Sequence, residues 1–149
     1  MEPSTPTLPY QAHFPSPPAS ADASDAQRAR AMEALYATGH WLLSRDRVAD
    51  AAAVFRGMAV LAPDDERPWL ALGACHETLK QHQLALEIYG TGQAMSRPGV
   101  RARLARARVL SALGRDEEAD DARVAAEEVA DALGDPTLIA LVSSERGSP

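Results

Sequence analysis

Apolar residues recur at intervals of three and four along most of the chain, in paired segments separated by short polar breaks. This spacing places the apolar side chains on one face of an amphipathic α-helix. In the first pair the apolar positions are Leu35, Leu42 and Leu43, followed by Val54, Phe55, Met58 and Leu61. The pattern therefore predicts an all-α protein made of helix–turn–helix units.

The paired segments repeat with a period of 34 residues, in three units at about 32–65, 66–99 and 100–133. Each unit has two small residues, where we expect the paired helices to approach each other closely. These are Gly39, Gly73 and Ala107, and then Ala51, Ala85 and Ala119. Pro63 and Pro98 lie near the ends of the first two units, because proline cannot donate a hydrogen bond in a helix interior. Arg103 and Arg123 stand at large apolar positions of the third unit.

The second unit carries the pattern W-x2-L-G from Trp69 to Gly73, with Ala85 and Tyr89 downstream. This pattern resembles the tetratricopeptide repeat, a helix–turn–helix unit of the same period. The resemblance implies a tetratricopeptide-repeat superhelix of three repeats. We expect "GDPTLIALVSSE" to form a short C-terminal capping helix from Pro136, because a stack of repeats needs a cover at its open end.

The amino-acid composition indicates that the two ends of the chain lie outside the repeats. Residues 1–24 hold six of the eleven prolines with many Ser, Thr and Ala, so we predict a disordered tail. The repeat domain then occupies residues 25–145, with a disordered end at 146–149. The chain begins without the basic and apolar regions of a signal peptide and has no bilayer-length apolar run. We therefore expect a cytoplasmic protein, and its net charge of −6 argues against binding nucleic acid.

The adjacent Cys75 and His76 are the one pair that suggests catalysis. Neighbouring residues on a helix point about 100° apart, whereas a nucleophile and its base must be within hydrogen-bond reach. Cys75 falls where the repeat favours a small buried residue, so we predict a packed thiol. The other histidines lie in different segments, and the acidic run at 116–121 is better explained as a helix start than as a metal site. We expect no enzymatic activity, no cofactor and no metal.

The first helix of each repeat should line the concave side of the superhelix. We expect Tyr36, Leu70 and Leu104 to share one cleft there. The candidate partner-binding residues at these positions are Tyr36, His40, Leu43, Arg67, Leu70, Ala74, Arg101, Leu104 and Arg108. Two interpretations of the arginines stay open: solvated charges over apolar surface, or groups that bind the carbonyls and carboxylates of an extended peptide.

The stretch "LGACHETLKQHQLALEIYGTGQAM" resembles the central repeat of one branch of the superfamily. It is similar to the class II chaperones of bacterial type III secretion, which escort the pore-forming translocator proteins. The matching residues are Leu72, Gly73, Ala74, Cys75, Ala85, Tyr89, Gly92 and Met95, and the preceding repeat matches at Leu35, Tyr36, Ala51 and Phe55. The resemblance covers about residues 30–130.

The resemblance implies a cytoplasmic bacterial chaperone that keeps a hydrophobic translocator soluble. Its concave groove would take an extended client segment with a Pro-x-Leu-x-x-Pro-like motif, and Tyr36 and Tyr89 match aromatic groove positions. It also implies a possible homodimer through the N-terminal helix. A different tetratricopeptide-repeat scaffold for another bacterial complex or regulatory pathway is the alternative. The tail segment "PTLP" at residues 6–9 raises the further hypothesis that the tail occupies the groove.

Overall fold

The computed structural model of the protein describes residues 21–146, which form seven α-helices and no strand. The helices are α1 Ala21–Ser44, α2 Val48–Leu61, α3 Glu66–Thr78, α4 His82–Met95, α5 Val100–Ala112, α6 Asp116–Leu133 and α7 Pro136–Arg146. Each helix packs on the next one along the chain, and α3 also contacts α5, which contacts α7. This arrangement confirms the predicted all-α tetratricopeptide-repeat superhelix.

The turn inside each repeat has the same hydrogen-bonding pattern in all three units. The residue at its centre has a positive φ of 59° at Asp46, 61° at Lys80 and 74° at Gly114, positions that lie 34 residues apart. The next residue donates its backbone N–H to a carbonyl oxygen of the preceding helix. These bonds join Arg47 to Leu42 (3.0 Å), Gln81 to His76 (2.8 Å) and Arg115 to Leu110 (2.9 Å). These bonds form the Schellman motif, which ends one helix and fixes the direction of the next.

In the first two repeats, the small residue predicted in the first helix lies under an aromatic ring of the paired helix. A methyl group added to Gly39 would lie 2.5 Å from the Phe55 ring, and one added to Gly73 would overlap the Tyr89 ring. Phe55 and Tyr89 are fully or almost fully buried, at 0% and 1% exposure. The absence of a side chain at these glycines therefore lets an aromatic residue fill the space between the two helices.

The last helix covers the end of the stack, as the sequence predicts. Asp135 accepts a hydrogen bond from the backbone N–H of Thr137 at 2.8 Å, which starts α7. Leu138 and Val142 of α7 are buried in a cluster with Val100 and Leu104 of α5. This packing removes from water an apolar side of the third repeat that no further repeat covers.

The main difference from the sequence-based boundaries is at the start of the repeat domain. Helix α1 begins at Ala21, inside the stretch that we predict to be a disordered tail and four residues before the expected start. The segment "ADASDAQ" combines helix-forming alanines with early acidic residues, which favour the first turns of a helix. The rest of the predicted tail lies outside the described residues, as does the predicted disordered end beyond Arg146.

Candidate functional site

A cleft of about 290 Å³ opens on the side of the stack formed by α3, α5 and α7. Three leucines, one from each of these helices, provide its apolar walls, and charged residues provide its rim. Its lining residues are Leu70, Ala74, Glu77, Tyr89, Arg101, Leu104, Ala105, Arg108, Leu141 and Glu145. We call this space the cleft.

Six of the ten predicted partner-binding residues line the cleft. They are Leu70, Ala74, Tyr89, Arg101, Leu104 and Arg108. The predicted Tyr36, His40, Leu43 and Arg67 belong to the first repeat or its junction with the second, and are not among the lining residues. The expectation that Tyr36 shares one cleft with Leu70 and Leu104 therefore does not match this cavity, which is confined to the second and third repeats and α7.

Tyr89 joins the cleft to the core of the second repeat. Its ring comes from α4 and passes over Gly73 of α3, because the glycine leaves room for it. Its hydroxyl donates a hydrogen bond of 2.5 Å to Oε2 of Glu77 on the cleft wall. Burial, together with this bond, raises the pKa of Tyr89 well above its ordinary value, so the hydroxyl stays protonated.

Arg67 is held by residues of the first two repeats at the edge of the same face. Its guanidinium donates to Asp65 at 2.8 Å and to Glu33 of α1 at 2.7 Å. It also lies 5.2 Å from the centre of the Tyr36 ring, in cation–π geometry. The hydrogen bond from Arg67 lowers the pKa of the Asp65 carboxyl. These contacts link α1 to α3.

The two arginines on the cleft rim differ in their surroundings. The guanidinium of Arg108 lies 3.5 Å from the carboxylate of Glu145 on α7, a long and exposed ion pair. Arg101 is exposed and forms no ion pair or hydrogen bond of its side chain with another residue of the described chain. The cleft therefore presents apolar walls beside at least one positive charge that is available to a carbonyl or a carboxylate.

Cys75 is packed as predicted, with 1% of its surface exposed. Burial raises the pKa of its thiol, which disfavours the reactive thiolate. Nδ1 of the buried His76 lies 2.6 Å from the side-chain oxygen of Gln81, at the turn after α3. The pair therefore belongs to the helix packing and its turn.

Residues 21–146 contain no group of three or more His, Cys, Asp and Glu side chains arranged to hold a metal ion. In the same part of the chain, no helix is both long enough and apolar enough to cross a bilayer. The acidic run beginning at Asp116 forms the first turns of α6, as predicted.

Four lining residues are absent from the predicted set. They are Glu77 on α3, Ala105 on α5, and Leu141 and Glu145 on α7. The apolar run in "TLIALV" indicates that α7 packs on the stack, but not which of its sides faces the cleft. Repeat positions could not find Leu141 and Glu145, because α7 lies beyond the last repeat.

Fold and cleft together define a class: a tetratricopeptide-repeat protein with an apolar cleft between the first helices of its second and third repeats and the capping helix. Repeat proteins of this kind bind segments of other polypeptides. No protein-family model matches the chain, and no functionally curated protein matches it. Solved structures do match it.

The chain is similar to SycD, the type III secretion translocator chaperone of Yersinia enterocolitica. The two share 29% identity and a TM-score of 0.67, over 78% of this chain and 87% of SycD. It is also similar to PcrH from Pseudomonas aeruginosa, with 28% identity and a TM-score of 0.65, over 78% of this chain and 89% of PcrH. A third match, with 25% identity and a TM-score of 0.61, is SycD in complex with a peptide of the translocator YopD, over 78% of this chain and 95% of that one. These matches confirm the predicted resemblance to SycD-like translocator chaperones.

Proposed function

We propose that this protein is a non-enzymatic cytoplasmic chaperone of bacterial type III secretion, which binds a hydrophobic translocator through an extended segment. The segment lies in the cleft and presents apolar side chains, as in a Pro-x-Leu-x-x-Pro-like motif. A translocator with membrane-spanning stretches aggregates in water, and a partner that covers part of its apolar surface opposes that.

The observation that carries the proposal is the apolar cleft between α3, α5 and α7. Leu70, Leu104 and Leu141 face it from three separate helices, so it can receive successive side chains of an extended peptide. Arg101 at its rim offers donors to backbone carbonyls of such a peptide. The similar chaperones SycD and PcrH have been solved with a peptide of YopD and with the chaperone binding region of PopB.

The proposed groove is longer than the cleft. Tyr36, His40 and Leu43 continue the same row of first-helix positions into the first repeat, where the Tyr36 and His40 rings pack edge to face with their centres 4.5 Å apart. We include them, with Arg67, as contacts for the end of a client segment that extends beyond the cleft.

Co-expression with a translocator tests this function. Ala74 is exposed in the cleft wall, so Ala74→Trp should fill the cleft while leaving the core intact. Ala53, which is exposed on α2 away from the cleft, provides the matched control Ala53→Trp. We expect the translocator to be soluble with the wild-type chain and with Ala53→Trp, and to aggregate with Ala74→Trp. A translocator that is equally soluble without this chain would contradict the proposal and favour a scaffold in another complex.

We also propose that α1 mediates pairing of two copies. Residues 24–31 of this helix are exposed, and Trp41 is half exposed on the same helix. One solved SycD structure is described as an alternative dimer. Sedimentation of the wild-type chain should give a molecular mass twice that of the monomer. The Trp41→Glu variant should give a mass closer to that of the monomer. A monomer at all concentrations would rule out this pairing.

A further inference from the structure

Arg101 and Arg67 occupy the same position in successive repeats, as the second residue of α5 and of α3. They lie 34 residues apart, which is the period of the repeat. The surroundings of Arg67 therefore indicate which groups a guanidinium at this position binds. Those of Arg101 indicate which of these groups the chain itself provides in the third repeat.

Arg67 is paired with two carboxylates of the chain. Its guanidinium donates two hydrogen bonds to the two oxygens of Asp65, two residues earlier, at 3.1 and 2.8 Å. It also donates to Glu33, which holds the same position in the first repeat, at 2.7 Å. A guanidinium at this position therefore binds one carboxylate at the start of its own helix and one on the preceding first helix.

Arg101 lacks both of these carboxylates. The residue two positions earlier is Gly99, and the residue one repeat earlier is Arg67, which is itself a cation. An aspartate at position 99 would place its Cβ 2.7 Å from the backbone oxygen of Gln93, which is closer than such atoms pack. The packing of this turn against the end of α4 therefore removes the carboxylate that Asp65 supplies to Arg67.

Glu66 approaches the start of α5 but binds a different group. Its carboxylate accepts the backbone N–H of Ala102 at 2.9 Å and forms no ion pair with Arg101. Among the described residues, the guanidinium of Arg101 has no hydrogen-bond or ion-pair partner, although it lines the cleft and is exposed. A guanidinium in this state can form paired, charge-assisted hydrogen bonds with a carboxylate from outside the chain.

The other charges of the cleft lie at its opposite end. Arg108 is two helical turns beyond Arg101 on α5, about 10 Å along the axis. It faces Glu145 of α7 at 3.5 Å, and Glu77 accepts the hydroxyl of Tyr89. A carboxylate at that end would lie near two carboxylates of the chain, whereas one beside Arg101 would be separated from both. Charge complementarity therefore favours an anion at the Arg101 end.

The spacing of Arg101 and Leu104 on α5 sets the spacing required of a partner. Leu104 follows Arg101 by three residues, which is a rise of about 4.5 Å, and both line the cleft. In an extended peptide, side chains on the same side recur at every second residue, about 6.6 Å apart. The long arginine side chain spans the small difference. A peptide with an apolar side chain against Leu104 can therefore place a carboxylate, two residues away, against Arg101.

We propose that Arg101 is a specificity-determining residue of the cleft. It selects client segments that carry a carboxylate two residues from the apolar side chain held by Leu70, Leu104 and Leu141. Its guanidinium donates two hydrogen bonds to the client carboxylate, as that of Arg67 does to Asp65. This inference rests on the function proposed for the cleft and adds an acidic residue to the chemistry of the client.

Synthetic peptides with blocked ends and a central leucine provide the probe. One carries a single glutamate two residues before the leucine and another carries it two residues after, since a segment could enter the cleft in either direction. A matched control for each peptide carries glutamine in place of the glutamate. Calorimetric titration of the full chain measures the dissociation constants. We expect one of the two Glu peptides to bind about tenfold more tightly than its Gln counterpart.

Three variants test the role of Arg101. Arg101→Gln should weaken binding of that Glu peptide about tenfold and leave binding of its Gln counterpart unchanged. Arg56→Gln removes an exposed arginine of α2 outside the cleft, so it controls for net charge and should preserve the tenfold difference. Ala74→Trp should weaken binding of both peptides, because it fills the cleft.

The results separate this inference from the function on which it rests. Equal binding of the Glu and Gln peptides, with both weakened by Ala74→Trp, would overturn the role of Arg101 and leave the cleft as the client site. Peptide binding that Ala74→Trp does not affect, or no binding of any peptide, would contradict both. If Arg101→Gln lowered the sedimenting mass of the chain without changing the difference between the Glu and Gln peptides, Arg101 would belong to an interface with a second copy instead.

Discussion

Tyr89 serves both the core and the cleft, and its hydroxyl is the part that links them. The ring fills the space over Gly73, and the hydroxyl donates to Glu77. Tyr36, a candidate-site aromatic of the first repeat, makes no side-chain hydrogen bond with another residue of 21–146 and instead lies beneath Arg67. The two tyrosines are therefore suited to a comparison of Tyr→Phe changes.

Tyr89→Phe should lower the free energy of unfolding by about 2 kcal/mol at neutral pH, because it removes a buried hydrogen bond to a charged group. The pKa of Tyr89 is raised in the folded protein above its ordinary value of 10.0. The contribution of its protonated form is therefore complete below pH 10 and is lost as the pH rises toward the folded-state value. Urea unfolding should show the gap between wild type and Tyr89→Phe narrowing above pH 10.

Tyr36→Phe is the matched control at neutral pH and should change the free energy of unfolding by less than about 0.5 kcal/mol. A Tyr89→Phe protein as stable as wild type would mean that the bond to Glu77 contributes nothing. A constant gap up to strongly alkaline pH would mean that folding does not raise the pKa of Tyr89.

At the scale of the helices, the same turn is built three times from three different residues. Asp46, Lys80 and Gly114 all adopt positive φ, although only glycine does so without a steric cost. The turn at Lys80 therefore carries strain that the turn at Gly114 avoids. The surrounding bonds, including the one from Gln81 to the carbonyl of His76, hold Lys80 in that conformation.

Lys80→Gly should raise the free energy of unfolding by about 0.5–1 kcal/mol, because it relieves the left-handed conformation at the end of α3. Gly114→Ala should lower it by about 1 kcal/mol, because no atom crowds that position and only the backbone conformation is penalised. Thermal and urea unfolding measure both changes. Changes of the same sign in the two variants would contradict this account of the turns.

The sequence predicts most helix positions because the period of the repeat fixes them. Helices α3, α5 and α7 begin at Glu66, Val100 and Pro136, where the apolar pattern restarts after a break. The start of α1 was placed four residues late because alanine, serine and aspartate are common both in tails and in the first turns of helices. Local composition alone could not separate these two cases.

At the scale of the molecule, the candidate site was predicted only as far as repeat positions determine it. Leu70 and Leu104 were found because they hold the same position in successive repeats. Leu141 was missed because its placement depends on how α7 packs over Val100 and Leu104, which is a tertiary property. Tyr36 follows the repeat rule but is not among the residues that line the cleft; its ring lies beside Arg67, which is paired with Glu33 and Asp65.

Site-specific photo-crosslinking tests the central claim, that the cleft binds an extended segment of a translocator, most directly. A benzophenone amino acid replaces Arg108 on the exposed rim of the cleft or, as the control, Ala53 on α2, and each chain is co-expressed with the translocator. Mass spectrometry should identify one short apolar stretch of the translocator crosslinked at position 108 and none at position 53. Crosslinks to the translocator at position 53 with none at position 108 would contradict the account.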